Sequence, residues 1–277
     1  MARTTLDTAR TKPQTTVLVT LEVLRRELVS PNVARVTLGR GDIEKFVPLG
    51  FDQWFRLFIP VSDGSLSRVP NRLSTLSYAK FLTVSKTVRP ILRNYTVRAY
   101  RAGGEHGPEL DVDLVLHGSA TDGTAGPASL WASTCEPGAV VGILDEGITF
   151  DLPPGLTDVV LVGDETALPA VAGILASLPR DTTGRAVIEV PELADRQELE
   201  APDGVEVTWV TRDDPTATPG PAALAAAVAL GVSGDRTYAW VAGESALPVA
   251  LRRLWVAAGV PKHHISFCGY WKAGRHH

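Results

Sequence analysis

In the stretch Arg93-Asn94-Tyr95-Thr96-Val97-Arg98, an aromatic ring and a hydroxyl lie between guanidinium groups. Asp113-Leu114-Val115-Leu116-His117-Gly118 follows, and then Gly126-Pro127-Ala128-Ser129. These residue types offer a stacking surface, a polar contact for a heteroaromatic edge, and cationic and main-chain N–H donors for a diphosphate. That is the set a flavin dinucleotide needs. Arg93 and Tyr95 are two apart, so on an extended strand they project to one side and Thr96 to the other. The same hexapeptide would also suit an ordinary half-exposed strand. The small-residue turn at Gly126–Ser129 opens a helical pattern, where free N–H groups and the positive end of the helix dipole favour phosphate. Ser129 would equally serve there as a plain N-cap. His117 at a strand end reads either as a ligand contact or as a satisfied surface histidine.

Positioning these groups takes a sizeable fold. The chain has 277 residues, 44% of them hydrophobic, with a net charge of −4 and a mean hydropathy close to zero. This describes a soluble globular protein of one large or two ordinary domains. A balanced charge argues against nucleic acid as the partner. No apolar run approaches membrane-spanning length, and Ala2–Gln14 has no signal-peptide character, so the expectation is a cytoplasmic protein without membrane insertion. Cys135 and Cys268 lie too far apart in sequence to suggest a metal-binding pair or a disulfide framework. The basic residues are 21 Arg and only six Lys, at 12, 45, 80, 86, 262 and 272.

Residues 1–16 lack apolar periodicity and are expected to form a flexible tail. From Val17, short alternating runs separated by Pro, Gly, Asn and Asp read as antiparallel strands: Val17–Val23, Val33–Leu38, Gln53–Ile59, Tyr95–Arg101, Leu110–Leu116 and Gly138–Leu144. About six such strands predict a closed or nearly closed Greek-key β-barrel over residues 17–152. Ser62–Pro90 has no clear period and reads as a long loop, a candidate wall of a substrate site. Asp145-Glu146 reads as solvated loop. After Leu152-Pro153-Pro154-Gly155 the pattern changes to apolar runs alternating with helical spacing, which predicts an α/β domain with a parallel sheet over residues 157–277. No G-x-G-x-x-G occurs. Gly163-Asp164-Glu165-Thr166 and Gly243-Glu244-Ser245 nevertheless fall where a strand ends and a helix begins, and ligands of such sheets bind at those ends.

Taken in order, these segments and the closing Gly269-Tyr270-Trp271-Lys272-Ala273-Gly274 resemble the siderophore-interacting protein family, a branch of the ferredoxin reductase-like flavoproteins. The resemblance runs from about residue 17 to the end. It implies that Arg93 meets the phosphates of FAD, that Tyr95 stacks on the isoalloxazine, and that Thr96 faces its redox edge, with Val97 beside it. It places Asp113, His117, Gly118, Gly126, Pro127, Ala128 and Ser129 among the cofactor contacts, with Asp164, Glu165 and Thr166 joining them. Gly163, Gly243, Glu244 and Ser245 become candidates for a nicotinamide nucleotide, and Trp271, Lys272 and Arg275 for the substrate, unless the terminal aromatics merely anchor a strand. No metal ligands are expected, His276 and His277 included.

The implied activity is an FAD-dependent ferric-siderophore reductase. Asp164 and Glu165 would repel a 2′-phosphate or diphosphate if they pointed at it, which favours NADH over NADPH, with ferredoxin as a further candidate donor. Two other readings stay open: a flavin or ferredoxin reductase-like oxidoreductase with another acceptor, and a siderophore-binding module in which FAD is structural or lost.

Overall fold

The computed structural model describes residues 11–13, 17–70, 74–118 and 124–274. It divides into two compact units, Met1–Thr149 and Phe150–His277. In the first unit, β1 (Val19–Ser30), β2 (Val33–Gly39), β3 (Trp54–Ile59), β4 (Ile91–Thr96), β5 (Ala99–Gly104), β6 (Gly107–Val115) and β7 (Val140–Gly147) form one antiparallel sheet. The strand order is β4-β3-β7-β1-β2-β6-β5. Val19, Leu21 and Val23 alternate into the core against Val36, Leu38, Leu110, Val112, Leu114 and Ile143. The alternation in the sequence therefore marks the buried face. β1 serves two partners, pairing with β7 over Val19–Glu22 and with β2 over Glu22–Ser30, with an irregularity between Val23 and Arg25. Such a bulge bends the strand and curls the sheet.

The sheet closes at the hexapeptide. β4 and β5 are its two ends, yet only Val97 and Arg98 separate them in sequence. The Val97 N–H donates to the Gln53 carbonyl (2.8 Å), next to β3, and the Arg98 N–H to the Asp111 carbonyl on β6 (2.9 Å). A link of this length spans no more than about 11 Å, so the two ends are drawn together into a nearly closed barrel. The run read as one strand, Tyr95–Arg101, is therefore two strands joined at the closure.

β6 is buried on both faces. Leu110, Val112 and Leu114 face the core, while Glu109, Asp111 and Asp113 on the alternate side are covered by arginines.

Two further expectations change. Ser62–Pro90 is not a continuous loop: it holds a 3-10 turn at Ser65–Arg68 and the helix α1 (Thr75–Thr83), which opens with a capping box between Ser74 and Ser77. Phe81 of α1 packs edge-on against Phe58 (centroids 5.7 Å apart), but Leu76 and Leu82 are exposed. With only Phe81 and the partly buried Tyr78 turned to the core, the helical period is hidden. Within the expected tail, Thr11 forms a bridge to Ile148, donating at 3.3 Å and accepting at 3.1 Å. Gly147 makes room for it, since a Cβ there would lie 2.0 Å from the Thr11 carbonyl oxygen.

The second unit carries a five-stranded parallel sheet in the order β10-β9-β8-β11-β12. Its strands are β8 (Asp158–Gly163), β9 (Thr183–Val190), β10 (Gly204–Thr211), β11 (Thr237–Glu244) and β12 (Ile265–Trp271). One side of β8 and β11 packs on α4 (Pro221–Ala229) and α5 (Ala246–Ala257) through Val160, Val162, Ala239, Val241, Leu247, Leu251 and Trp255. On the other side, α3 (Leu168–Ser177) lies so close to β8 that a Cβ at Gly163 would stand 2.7 Å from the Ala167 Cβ. The strand order reverses between β8 and β11, so the crevice at their carboxyl ends is the topological switch point.

Among the described residues, no helix is long and apolar enough to cross a membrane, no His/Cys/Asp/Glu cluster is arranged to hold a metal, and Cys135 and Cys268 form no disulfide.

Candidate functional site

In the first unit, Tyr95 pairs across from Phe55 and Arg93 from Leu57, while Thr96 pairs with Trp54. Directly opposed residues share a face. The Tyr95 ring and the Arg93 guanidinium therefore project from the core-lining side of an end strand, and Thr96 is buried on the opposite side. Arg93 donates to the Leu92 carbonyl at 2.8 Å, which orients the guanidinium along the strand. Burial pushes the Tyr95 phenol well above its ordinary range against the lowering field of Arg93, so the ring remains neutral.

The helix α2 (Pro127–Thr134) packs against β2, β6 and β4, the strand that carries Arg93 and Tyr95. Its N-cap is Gly126, with no side-chain cap, so the first-turn N–H groups lack intrahelical partners. Ser129 is not the cap. Its hydroxyl accepts from the His117 N–H (3.2 Å) and donates to the His117 carbonyl (3.3 Å), tying α2 to the end of β6. The His117 ring lies over Gly126, where a Cβ would stand 3.3 Å from both Cε1 and Nε2. Gly118, at φ +70°, permits the close approach of residues 124 and 125. Ring, cation and open helix turn fit a flavin dinucleotide: Arg93 and the N–H groups of Ala128 and Ser129 would hold its diphosphate, and Tyr95 its ring.

Asp113 is engaged within the chain. Its Oδ1 and Oδ2 accept from Arg35 Nε and Nη2 (2.7 and 2.9 Å), and Oδ2 also lies 3.4 Å from Arg98 Nε. The carboxylate is held in a two-point pair by Arg35 and forms an ion pair with Arg98, the second arginine of the hexapeptide. Two residues read as solvated loop are also structural. Asp145 accepts from Gln53 Nε2 (2.8 Å) and the Gly147 N–H (2.9 Å), and burial pushes its carboxyl up to about 6. Glu146 pairs with the buried Arg56. The parity of Val141, Ile143 and Asp145 was the available signal that the strand continued.

In the second unit, Asp164 is fully buried. It accepts from the Thr166 N–H (2.9 Å), the Thr166 hydroxyl (2.5 Å) and the Glu244 N–H (2.6 Å), bridging β8 and β11 across the switch point. Burial first, and then the neighbouring Glu165, raise its carboxyl to about 6. Glu165 forms a two-point pair with Arg212 (2.8 and 2.9 Å). Arg212 also binds Glu189 (3.2 Å), whose carboxylate caps α4 through the Gly220 and Ala223 N–H groups (3.0 and 2.8 Å). Asp164, Glu165 and Thr166 are thus consumed in internal bonds, against the expectation that they contact the cofactor. The expected repulsion of a 2′-phosphate loses its basis, because neither carboxylate is exposed.

Glu244 is buried at the end of β11, and Ser245 follows it into α5. Trp271 is half-buried at the end of β12, Lys272 is exposed just beyond it, and Arg275 lies outside the described residues.

An antiparallel barrel with a stacking and diphosphate-binding edge, followed by a doubly wound parallel sheet, defines a flavin-binding oxidoreductase of the ferredoxin reductase-like fold. Residues 22–149 match the siderophore-interacting FAD-binding domain, and residues 156–274 match the siderophore-interacting protein family. The chain belongs to that family. It is 34% identical over 266 residues to protein Rv2895c of Mycobacterium tuberculosis, covering 92% of this chain and 90% of the relative. It is 28% identical over 256 residues to the ferric vibriobactin reductase ViuB of Vibrio cholerae, covering 92% and 89%. The crystal structure of a siderophore utilization protein from T. fusca superposes with a TM-score of 0.74 at 30% identity, covering 96% of this chain and 97% of that one.

Proposed function

We propose that this chain reduces siderophore-bound Fe(III) to Fe(II) in the cytoplasm, taking electrons from a nicotinamide nucleotide. The observation that supports the reading is the packing of α2, whose first turn has no side-chain cap, against β4, the strand that carries Arg93 and Tyr95. When bound there, FAD supplies the conversion between a two-electron donor and a one-electron acceptor. Arg93 and the α2 turn hold its diphosphate, and Tyr95 covers its ring. Lys272 presents an ammonium to an approaching chelate, and catecholate complexes of Fe(III), three dianionic donors on one trivalent ion, carry negative charge that it attracts. Hard oxygen donors hold the larger, less charged Fe(II) poorly, so reduction frees the metal without a protein ligand.

With Glu165 neutralised by Arg212, the geometry favours neither NADH nor NADPH. The test is anaerobic mixing of the FAD-loaded protein with NADH, NADPH or reduced ferredoxin, followed by a panel of ferric siderophores with a chromogenic Fe(II) trap. Bleaching by a nicotinamide nucleotide and trapped Fe(II) are expected. Bleaching only by ferredoxin reassigns the donor, and bleaching without Fe(II) means a reductase with another acceptor. A protein that retains no FAD is a binding module.

A further inference from the structure

The turn at Gly243-Glu244-Ser245 stands where a nucleotide phosphate would meet α5, but its polar groups are already spent on the chain itself. The Glu244 carboxylate accepts from the Ala246 N–H (2.6 Å), the Ser245 hydroxyl (3.1 Å) and the Ala273 N–H (3.2 Å). The Ser245 N–H donates to the Trp271 carbonyl at 2.9 Å. These two backbone bonds, to Trp271 and Ala273, grip the peptide units on either side of Lys272. The strand register adds a second constraint. Gly243 pairs with Gly269, but Glu244 pairs with Trp271, so Tyr270 is an extra residue on β12. Such a bulge re-aims the side chains beyond it. The approach is close, since a Cβ at Gly269 would stand 3.1 Å from the Ser245 Cβ. A carboxylate at the α5 N-terminus also occupies the helix's anion position with the chain's own charge.

We propose that Glu244 is a positioning residue: with the Ser245 N–H it latches the Trp271–Ala273 segment to the end of β11, and thereby aims Lys272 at the ferric chelate. The role in chelate capture rests on the proposed function, whereas the latch itself does not. Glu244→Gln keeps the side-chain shape but turns an NH2 toward one of the N–H groups that the carboxylate now accepts.

Two measurements test the proposal on the full-length, FAD-loaded protein. In hydrogen exchange, the Ala273 amide should lose protection in Glu244→Gln, along with the Ser245 amide. Protection equal to that of the parent refutes the latch, whatever happens to the chelate. In steady-state kinetics with an anionic ferric siderophore, KM should rise roughly tenfold, the loss of one charge-assisted bond, with the donor-side rate of flavin reduction unchanged. In a Lys272→Ala background the same substitution should cost nothing further in KM, because both act through one group. Additive losses, or a raised KM for the nicotinamide nucleotide, would place Glu244 in a nucleotide site and overturn the proposal. Should Glu244→Gln fail to fold, Gly269→Ala pushes on the same junction from β12 and should give the same split. A parent that reduces no ferric chelate would sink the proposed function and leave the exchange result to decide the latch alone.

Discussion

Asp113→Asn separates a cofactor contact from a structural anchor, because the two roles predict opposite patterns. The Asp113 side chain is 2% exposed and lies between Arg35 and Arg98, which are 20% and 17% exposed. Asparagine keeps one acceptor oxygen but directs an NH2 at guanidinium donors and leaves two largely buried cations without their shared anion. Breaking a buried pair by removing one partner costs about 3 kcal/mol or more. For a unit of this size each kcal/mol lowers the melting temperature by about 2–4 °C, so a fall of about 10 °C is expected. The assay is thermal and urea unfolding of the apo and FAD-loaded protein, together with the FAD dissociation constant. FAD binds only the folded state, so apo measurements remove its contribution by mass action. The apo protein should show the full loss, while FAD affinity measured well below the transition should fall by less than tenfold. If apo stability is unchanged and FAD affinity drops by one decade or more, Asp113 faces the cofactor and the anchor argument is wrong.

Three further outcomes follow from the same geometry. Arg93→Ala should remove a charge-assisted contact of roughly 1.5–3 kcal/mol, weakening FAD binding by about one to two decades in a fluorescence titration; unchanged affinity would remove Arg93 from the phosphate role. Glu109 is held at about 2, below its ordinary 4.5, by hydrogen bonds from Arg25 and Arg101 that outweigh burial. A carboxylate depressed in the folded state contributes stability that is complete above its unfolded value and is lost as pH falls through the interval from about 4.5 to about 2. Glu109→Gln should therefore be less stable at neutral pH and lose less on acidification, and melting curves parallel to the parent's across that interval would contradict the pairing. Lys272→Ala should lower kcat/KM for anionic ferric siderophores at low salt, and the gap from the parent should narrow as the Debye length shrinks to about 8 Å at physiological ionic strength. A gap independent of salt would mean that Lys272 acts by packing.

The barrel was legible in the sequence because each strand repeats at the two-residue period of a half-buried sheet: Val19, Leu21 and Val23 face the core as their spacing predicts. The parallel sheet was legible from uninterrupted apolar runs such as Val159-Val160-Leu161-Val162, which a sheet covered on both faces requires. The ring and cation pair at Arg93 and Tyr95 also followed from spacing alone, since strand parity is a local property. Whether a carboxylate near a motif faces a ligand or a guanidinium is not local. Asp113 is matched by Arg35, 78 residues away, and Glu165 by Arg212, 47 residues away. Only the register of β2 against β6 and the order of strands in the parallel sheet bring those partners within bonding distance. The closure at Val97–Arg98 has the same origin: two residues that read as the middle of one strand connect the two ends of the sheet, because the position of β4 and β5 in the sheet, and not their sequence, decides where the hydrogen bonds run.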